Sequence, residues 1–109
     1  MKKGDIVTVA AGTGYAGKPR PAVIVQEERV EGMLSEVICP LTSEEVNAPL
    51  VRLAVRPSEE NGLRNPSWIM VDKIGVVRRD KIGKRIGQLT AEDVTRLNRA
   101  LIVFLGLDR

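Results

Sequence analysis

Seven short segments rich in β-branched residues, separated by turns rich in Gly, Pro, Glu and Asn, make up most of this chain. They cover residues 5–10, 22–26, 36–41, 50–55, 68–71, 74–78 and 82–89. Strands this short bury little apolar surface singly, so in a chain of 109 residues they must share one core. We therefore predict one domain over residues 1–109, mainly β, in which the strands form a small, strongly bent barrel or two packed sheets.

The hydrophobic period changes near the C-terminus and predicts one amphipathic helix. Thr90 stands where a helix N-cap belongs, with Asp93 three residues later, and Gly106 can end the helix. Five apolar residues recur at helical spacing between them: Val94, Leu97, Leu101, Phe104 and Leu105. We expect this stripe to pack on the β core, and covering a partner protein is the alternative use.

Composition excludes several kinds of chemistry. The chain has no histidine, which removes the commonest general base and metal ligand. Its single cysteine, Cys39, lies in the apolar stretch EVICPL and is expected to be buried rather than reactive. No apolar run is long enough for a membrane span, and MKKGDIV lacks the apolar region of a signal peptide. We therefore expect a cytoplasmic protein without a metal or cofactor.

The net charge of +3 is distributed unevenly along the chain. Residues 1–60 hold 7 Lys or Arg and 9 Asp or Glu, a net charge of −2, whereas residues 61–109 hold 10 and 5, a net charge of +5. The run KIGVVRRDKIGKR carries six of these cations: Lys73, Arg78, Arg79, Lys81, Lys84 and Arg85. Such a run fits either the footprint of a polyanion or a solvated strand face.

One loop, GTGYAGKPRPAVIVQ at residues 12–26, presents an arginine between two prolines. Pro19 and Pro21 restrict the local backbone to extended conformations, so the Arg20 side chain has little backbone entropy left to lose on binding. A guanidinium is planar, permanently charged and able to contact two phosphate oxygens at once. The loop therefore suits a phosphate ligand, and a surface ion pair of Arg20 with a carboxylate such as Glu44 is the alternative.

The order of several motifs along the chain resembles the PemK/MazF family of toxins from bacterial toxin–antitoxin pairs. These motifs are KKGDIVTV, GYAGKPRPAVIVQ, CPLTSE, VRPSEENGLRNPSWIMVDKI, RIGQL and LNRALIVFLGL. The resemblance implies an SH3-like β-barrel, a homodimer and a metal-independent endoribonuclease that cleaves single-stranded messenger RNA at short motifs. In that family the ribose 2′-hydroxyl attacks the adjacent phosphate and gives a 2′,3′-cyclic phosphate and a free 5′-hydroxyl.

The resemblance also assigns catalytic residues. The family's essential arginine corresponds to Arg20, and its essential threonine, at the end of the third strand, corresponds to Thr42 in PLTS. Arg20 suits stabilisation of the phosphorane, and the Thr42 hydroxyl suits donation to a non-bridging oxygen. A turn-capping hydroxyl is the alternative role of Thr42. Ser43 and Asp72 are candidates for acid/base or supporting roles. Many family members carry a glutamate in the loop where this chain has Gly14-Tyr15-Ala16, so the resemblance assigns no general base.

The predicted RNA contacts are Tyr15, Lys18, Lys73, Arg78 and Arg79. Tyr15 offers a stacking surface for an unpaired base, with a lid over the barrel as its alternative role, and the cations suit phosphates. Trp68 could also stack, but core or dimer packing is favoured for it.

Three functions remain open from the sequence. The first is the ribonuclease toxin, neutralised by a cognate antitoxin whose acidic tail occupies the RNA groove. The second is a non-catalytic RNA-binding barrel, because GDIVTVAAGTGYAGKPRPAVIVQ also fits the KOW pattern of strand, glycine loop and strand. The third is a gyrase-directed toxin of the same fold; those toxins rely on a tryptophan at the C-terminal helix end, where this chain has FLGLDR.

Overall fold

The computed structural model describes residues 1–10, 18–30 and 32–109. Each predicted strand is present, with ends within two residues of the predicted ones. The seven strands and one helix are β1 Asp5–Val9, β2 Arg20–Ile24, β3 Ser35–Thr42, β4 Arg52–Val55, β5 Ser67–Met70, β6 Gly75–Arg78, β7 Ile82–Gln88 and α1 Ala91–Phe104. Two single-turn 3-10 helices, Val71–Lys73 and Arg79–Lys81, flank β6.

Strand β3 organises the antiparallel sheet because both of its edges are paired. One edge pairs with β2, with Ala22 opposite Pro40. The other edge pairs first with β6, from Ser35 to Ile38, and then with β5, at Leu41 and Thr42. On one side of the sheet β4 pairs with the far edge of β5. On the other side β1 pairs with β2, and β7 pairs with β1. Among the described strands no ladder joins β7 to β4 or β6, so the sheet bends without closing. The predicted fold, mainly β with seven strands and a C-terminal helix, is confirmed.

Both faces of the sheet are buried, which explains the continuous apolar runs of β1 and β2. Successive side chains of a strand point to opposite faces. Ile6 and Val23 therefore join the larger core cluster, which includes Leu97 of α1, whereas Val7 and Ala22 join a smaller cluster on the other face. Cys39 lies in the larger cluster, where burial raises the pKa of its thiol to about 12. The cysteine is therefore a small buried side chain.

The helix begins as predicted, but its second half departs from the expected packing. The Thr90 Oγ1 accepts a hydrogen bond from the Asp93 backbone N–H at 3.1 Å and caps the helix. Leu97 and Leu101 are buried, whereas Phe104 and Leu105 are 41% and 49% exposed. The expectation that the whole stripe packs on the core is therefore wrong for the last turn, because the core cluster takes residues of α1 only as far as Leu101. No helix among the described residues is long and apolar enough to cross a membrane.

The loop between β4 and β5 lies with its backbone directly against β7. A Cβ atom at Gly87 would lie 2.5 Å from the Glu60 carbonyl oxygen, and one at Gly62, where φ is +68°, would lie 2.5 Å from the Ile86 carbonyl oxygen. The Gln88 backbone N–H donates to the Glu60 carbonyl at 2.9 Å. Such an approach leaves no room for a side chain at either glycine.

Within this loop the Asn61 side chain makes hydrogen bonds to backbone groups that a helix or strand would otherwise satisfy. It is 1% exposed. Its Oδ1 accepts hydrogen bonds from the backbone N–H groups of Ser58 and Leu63 at 3.0 and 2.9 Å, and its Nδ2 donates to the Arg56 carbonyl at 2.8 Å. These bonds satisfy backbone groups of a loop that has no strand pairing of its own.

We predict that Gly87→Ala destabilises the protein by about 2 kcal/mol, because forcing extra atoms into a packed site typically costs about 1–3 kcal/mol. Gly75→Ala is the matched control, since a Cβ there meets only the Lys73 carbonyl oxygen at 3.7 Å. Urea unfolding of the two variants and the wild type measures the difference. Equal midpoints for the two variants would contradict the tight approach of the loop to β7.

Candidate active site

A groove of about 890 Å³ crosses the ends of β2 and β3. Consecutive residues of both strand ends line it, so it runs over the ends rather than along one face of the sheet. Its lining residues are Thr8, Pro19, Arg20, Pro21, Pro40, Leu41, Thr42, Ser43, Glu44, Gly62, Leu63, Arg64, Asn65, Ser67, Met70, Lys84 and Ile86. Three predicted site residues, Arg20, Thr42 and Ser43, are thus brought together in one depression.

The pairing of β2 with β3 explains why Arg20 and Thr42 share the groove. The β2–β3 ladder ends at Ala22 opposite Pro40. Two residues beyond this pair lie Arg20, the first residue of β2, and Thr42, the last residue of β3. Antiparallel pairing therefore brings both residues to the same end of the two strands, where both line the groove. Arg20 is exposed, and no ion pair joins it to Glu44 or to any other carboxylate among the described residues.

The Thr42 hydroxyl has a fixed acceptor role that leaves its hydrogen available. Its Oγ1 accepts a hydrogen bond from the Glu44 backbone N–H at 3.1 Å. The threonine therefore caps the turn after β3, as one of its two expected roles requires. Since a hydroxyl carries one donor besides its lone pairs, the O–H hydrogen can still be donated to a ligand oxygen. The turn-capping and ligand-binding roles are compatible.

The groove is also lined by two cations that were not predicted as site residues from the sequence. Lys84 lies in the basic run, which was the only signal for it, and Arg64 lies in the loop between β4 and β5. The position of Lys84 depends on an irregularity in the β1–β7 ladder, where Val7 lies opposite Arg85 but Val9 lies opposite Ile82.

A side chain repairs the ladder at this irregularity. The Lys84 backbone N–H donates to the Thr8 Oγ1 at 3.1 Å, in place of a backbone carbonyl. A Cβ at residue 83 would collide with the same Oγ1, so a side chain there would force the Thr8 hydroxyl away from the Lys84 N–H. Thr8 and Gly83 together therefore hold Lys84 at the groove.

The groove is electropositive. Among its described lining residues, Arg20, Arg64 and Lys84 carry positive charge, and Glu44 alone carries negative charge. An excess of cations in a concave site favours an anionic ligand. No group of three or more potential metal-ligating side chains occurs in the described part of the chain.

Asp72 lies outside the set of groove-lining residues. Its Oδ1 and Oδ2 accept hydrogen bonds from Arg52 Nε at 2.8 Å and from an Arg52 terminal nitrogen at 3.1 Å. The hydrogen bonds from Arg52 lower the pKa of the Asp72 carboxyl, and desolvation opposes the shift. Through this bidentate ion pair Asp72 links β4 to the turn after β5. Its contacts are therefore those of a structural support, and it does not line the groove.

Four of the five predicted RNA contacts do not line the groove. Lys18 and Lys73 are exposed and do not line it. Arg78 pairs with Asp80 at 2.8 Å, and Arg79 pairs with the buried Glu36 at 3.0 Å. Tyr15 lies outside the described residues. Trp68 is half-buried on β5 opposite Thr42, and it does not line the groove.

Comparison with known proteins relates this fold to toxins. The model of the family "PemK-like, MazF-like toxin of type II toxin-antitoxin system" matches residues 2–105. The probable endoribonuclease MazF of Mycolicibacterium smegmatis is 41% identical over 107 residues, which are 98% of each chain.

Solved structures share the fold at lower identity. An endoribonuclease in complex with its cognate antitoxin, from a mycobacterial species, matches with a TM-score of 0.80 and 24% identity over 98% of this chain and 96% of that chain. A chain of a MazE–MazF crystal structure from Deinococcus radiodurans matches with a TM-score of 0.78 and 18% identity, over 97% and 96%. From the family match and the 41% identity it follows that this chain belongs to the PemK-like, MazF-like toxins of type II toxin–antitoxin systems.

Proposed function

We propose that this protein is the toxin of a toxin–antitoxin pair and acts as an endoribonuclease on single-stranded messenger RNA in the cytoplasm. The observation that carries the proposal is the placement of Arg20 and Thr42 on one electropositive groove, in a chain of a toxin family. The 41% identical relative is named a probable endoribonuclease. Neither side chain is explained by an ion pair or by burial, so both are available to a ligand.

In the proposed reaction the ribose 2′-oxygen attacks the adjacent phosphorus, and the 5′-oxygen leaves. Negative charge then builds on the non-bridging oxygens of the phosphorane. In this proposal the Arg20 guanidinium neutralises the charge, and the Thr42 hydroxyl donates its hydrogen to one of these oxygens. Because a permanently charged arginine supplies the positive charge, this mechanism needs no metal ion or other cofactor. The products are a 2′,3′-cyclic phosphate and a 5′-hydroxyl.

The flanking cations extend the proposed site along the RNA. Arg64 and Lys84 line the groove from the β4–β5 loop and from β7. Phosphates on either side of the cleaved one are their natural ligands, and such contacts position a strand without reading its bases. Ser43, next to Thr42, is proposed as a further donor to the substrate.

The proposed protein partners are a second copy of the chain and a cognate antitoxin. Five apolar side chains at the end of α1 and just after it stay exposed: Ile102, Val103, Phe104, Leu105 and Leu107. Exposed apolar side chains concentrated at one end of a small protein are typical of an association site, so we assign them to the homodimer. An acidic antitoxin segment would compete with RNA for the electropositive groove, and one of the similar structures is itself a complex with its cognate antitoxin.

Arg20→Ala and Thr42→Ala are expected to reduce the single-turnover rate of RNA cleavage by about 10²–10³-fold, the usual effect of removing one donor to a developing oxyanion. The measurement is cleavage of a long single-stranded RNA in EDTA, with the 3′ ends mapped and tested for cyclic phosphates. Thr42→Ser retains the hydroxyl and should keep most of the activity.

Arg29→Ala is the control for Arg20→Ala, since Arg29 is exposed and outside the groove. Unchanged cleavage by Arg20→Ala would contradict the catalytic assignment. RNA that is bound by the wild type but never shortened would support the non-catalytic RNA-binding alternative instead.

Lys84→Gln is expected to weaken RNA binding and to flatten its salt dependence. Losing one phosphate contact on a single strand should reduce the slope of log affinity against log salt by about 0.7. The measurement uses an oligonucleotide with a 2′-deoxy nucleotide at the cleavage site, which cannot react. Lys81→Gln is the control, because Lys81 is exposed, close in sequence and outside the groove. An identical slope for the two variants would remove Lys84 from the RNA path.

A further inference from the structure

The proposed reaction requires a base for the 2′-hydroxyl proton, and most groups that could act as one are missing or occupied. The chain contains no histidine, and residues 11–17, in the loop before Arg20, contain no carboxylate. Cys39 is buried, and the pKa of its thiol is raised to about 12. Asp72 is held by Arg52 and does not line the groove. The remaining candidates are carboxylates elsewhere in the described chain.

Ion pairing and position eliminate all but one of these carboxylates. Six are engaged in ion pairs: Asp5, Glu27, Glu36, Asp72, Asp80 and Asp93. Of the described carboxylates outside these pairs, only Glu44 lines the groove. Glu44 is exposed, and its carboxylate makes no hydrogen bond or ion pair with another described residue. It is therefore a free carboxylate inside a site for a polyanion.

The backbone ties Glu44 to the catalytic pair. Its N–H donates to the Thr42 Oγ1 at 3.1 Å. This hydrogen bond holds the Glu44 backbone beside the Thr42 side chain in the turn after β3. Thr42 and Arg20 each lie two residues beyond the last pair of the β2–β3 ladder, Pro40 and Ala22, and both line the groove. A negative charge beside RNA phosphates is unfavourable for binding alone, although Arg20, Arg64 and Lys84 offset it. A carboxylate at this position is therefore better explained by a role in the cleavage reaction than by a role in RNA binding.

We propose that Glu44 is the general base of the cleavage reaction, an assignment that rests on the proposed ribonuclease function. The Glu44 carboxylate takes the proton from the 2′-hydroxyl as the bond between the 2′-oxygen and phosphorus forms. The bond between phosphorus and the 5′-oxygen then breaks, and the leaving 5′-oxygen takes a proton from water. The protonated Glu44 returns its proton to the solvent, which balances the reaction. Arg20 and Thr42 stabilise the phosphorane while these protons move.

The test compares Glu44→Gln with Glu45→Gln. Both variants remove one negative charge from neighbouring, exposed residues, but only residue 44 lines the groove. The substrate is a short single-stranded RNA containing the site mapped with the wild type, and the binding probe is the same oligonucleotide with a 2′-deoxy nucleotide at the cleaved position. Glu44→Gln should lower the single-turnover rate by about 10²–10⁴-fold, the usual contribution of a positioned base. Its affinity for the unreactive probe should be unchanged or higher, because a charge repelled by phosphate is gone.

Glu44→Asp should cleave faster than Glu44→Gln, since it keeps a carboxylate on a shorter side chain, and Glu45→Gln should cleave like the wild type. Equal rates for Glu44→Gln and the wild type would overturn the role of Glu44 while leaving the ribonuclease function intact. A rate loss matched by an equal loss of probe affinity would show that Glu44 acts in RNA binding and would also overturn the assignment. A wild type that leaves the RNA intact would overturn the proposed function and this inference together.

Discussion

The pairing of β3 on both edges is the constraint on which the fold and its groove depend. One edge of this eight-residue strand pairs with β2. The other edge pairs first with β6 and then with β5, so β3 joins these three strands into one sheet. A shift of the β2–β3 register by one residue would exchange the two faces of a strand that is buried on both. It would also separate Arg20 from Thr42. The packing of both faces of the sheet, which stabilises the core, therefore also determines which residues of the two strands lie at the groove.

The part of the groove lined by the β4–β5 loop and by β7 is built by different means. There the chain between β4 and β5 has no ladder, and its backbone is held by the Asn61 side chain and by the close approach of Gly62 and Gly87. Lys84 is positioned by a ladder irregularity that Thr8 repairs. The proposed chemistry thus lies at the ends of the regular strands β2 and β3, whereas the cations proposed to contact the RNA backbone lie in a loop and in an irregular part of β7. Stability of the loop and affinity for RNA are expected to be linked for this reason.

The positions of single strands, the helix cap and the Arg20 loop could be predicted because each depends on near neighbours in sequence. β-Branched alternation, the two prolines and the Thr90 cap act within a few residues. The ion-pair partners of the charged side chains could not be predicted in the same way. Arg79 pairs with Glu36, 43 residues away in sequence, and Arg52 pairs with Asp72, 20 residues away. A basic run in sequence therefore looked like an RNA footprint although several of its members have structural partners.

The sequence by itself determined the class of fold, the helix at its end, the phosphate-suited arginine and the resemblance to a toxin family. Only the tertiary structure decided which side chains share a site. It brought Arg20, Thr42, Glu44, Arg64 and Lys84 to one groove, left Asp72 outside it, and left the last turn of α1 exposed. The physical reason is the range of the interactions: local backbone preferences act between near neighbours, whereas a groove arises from strand pairing and loop docking between distant segments.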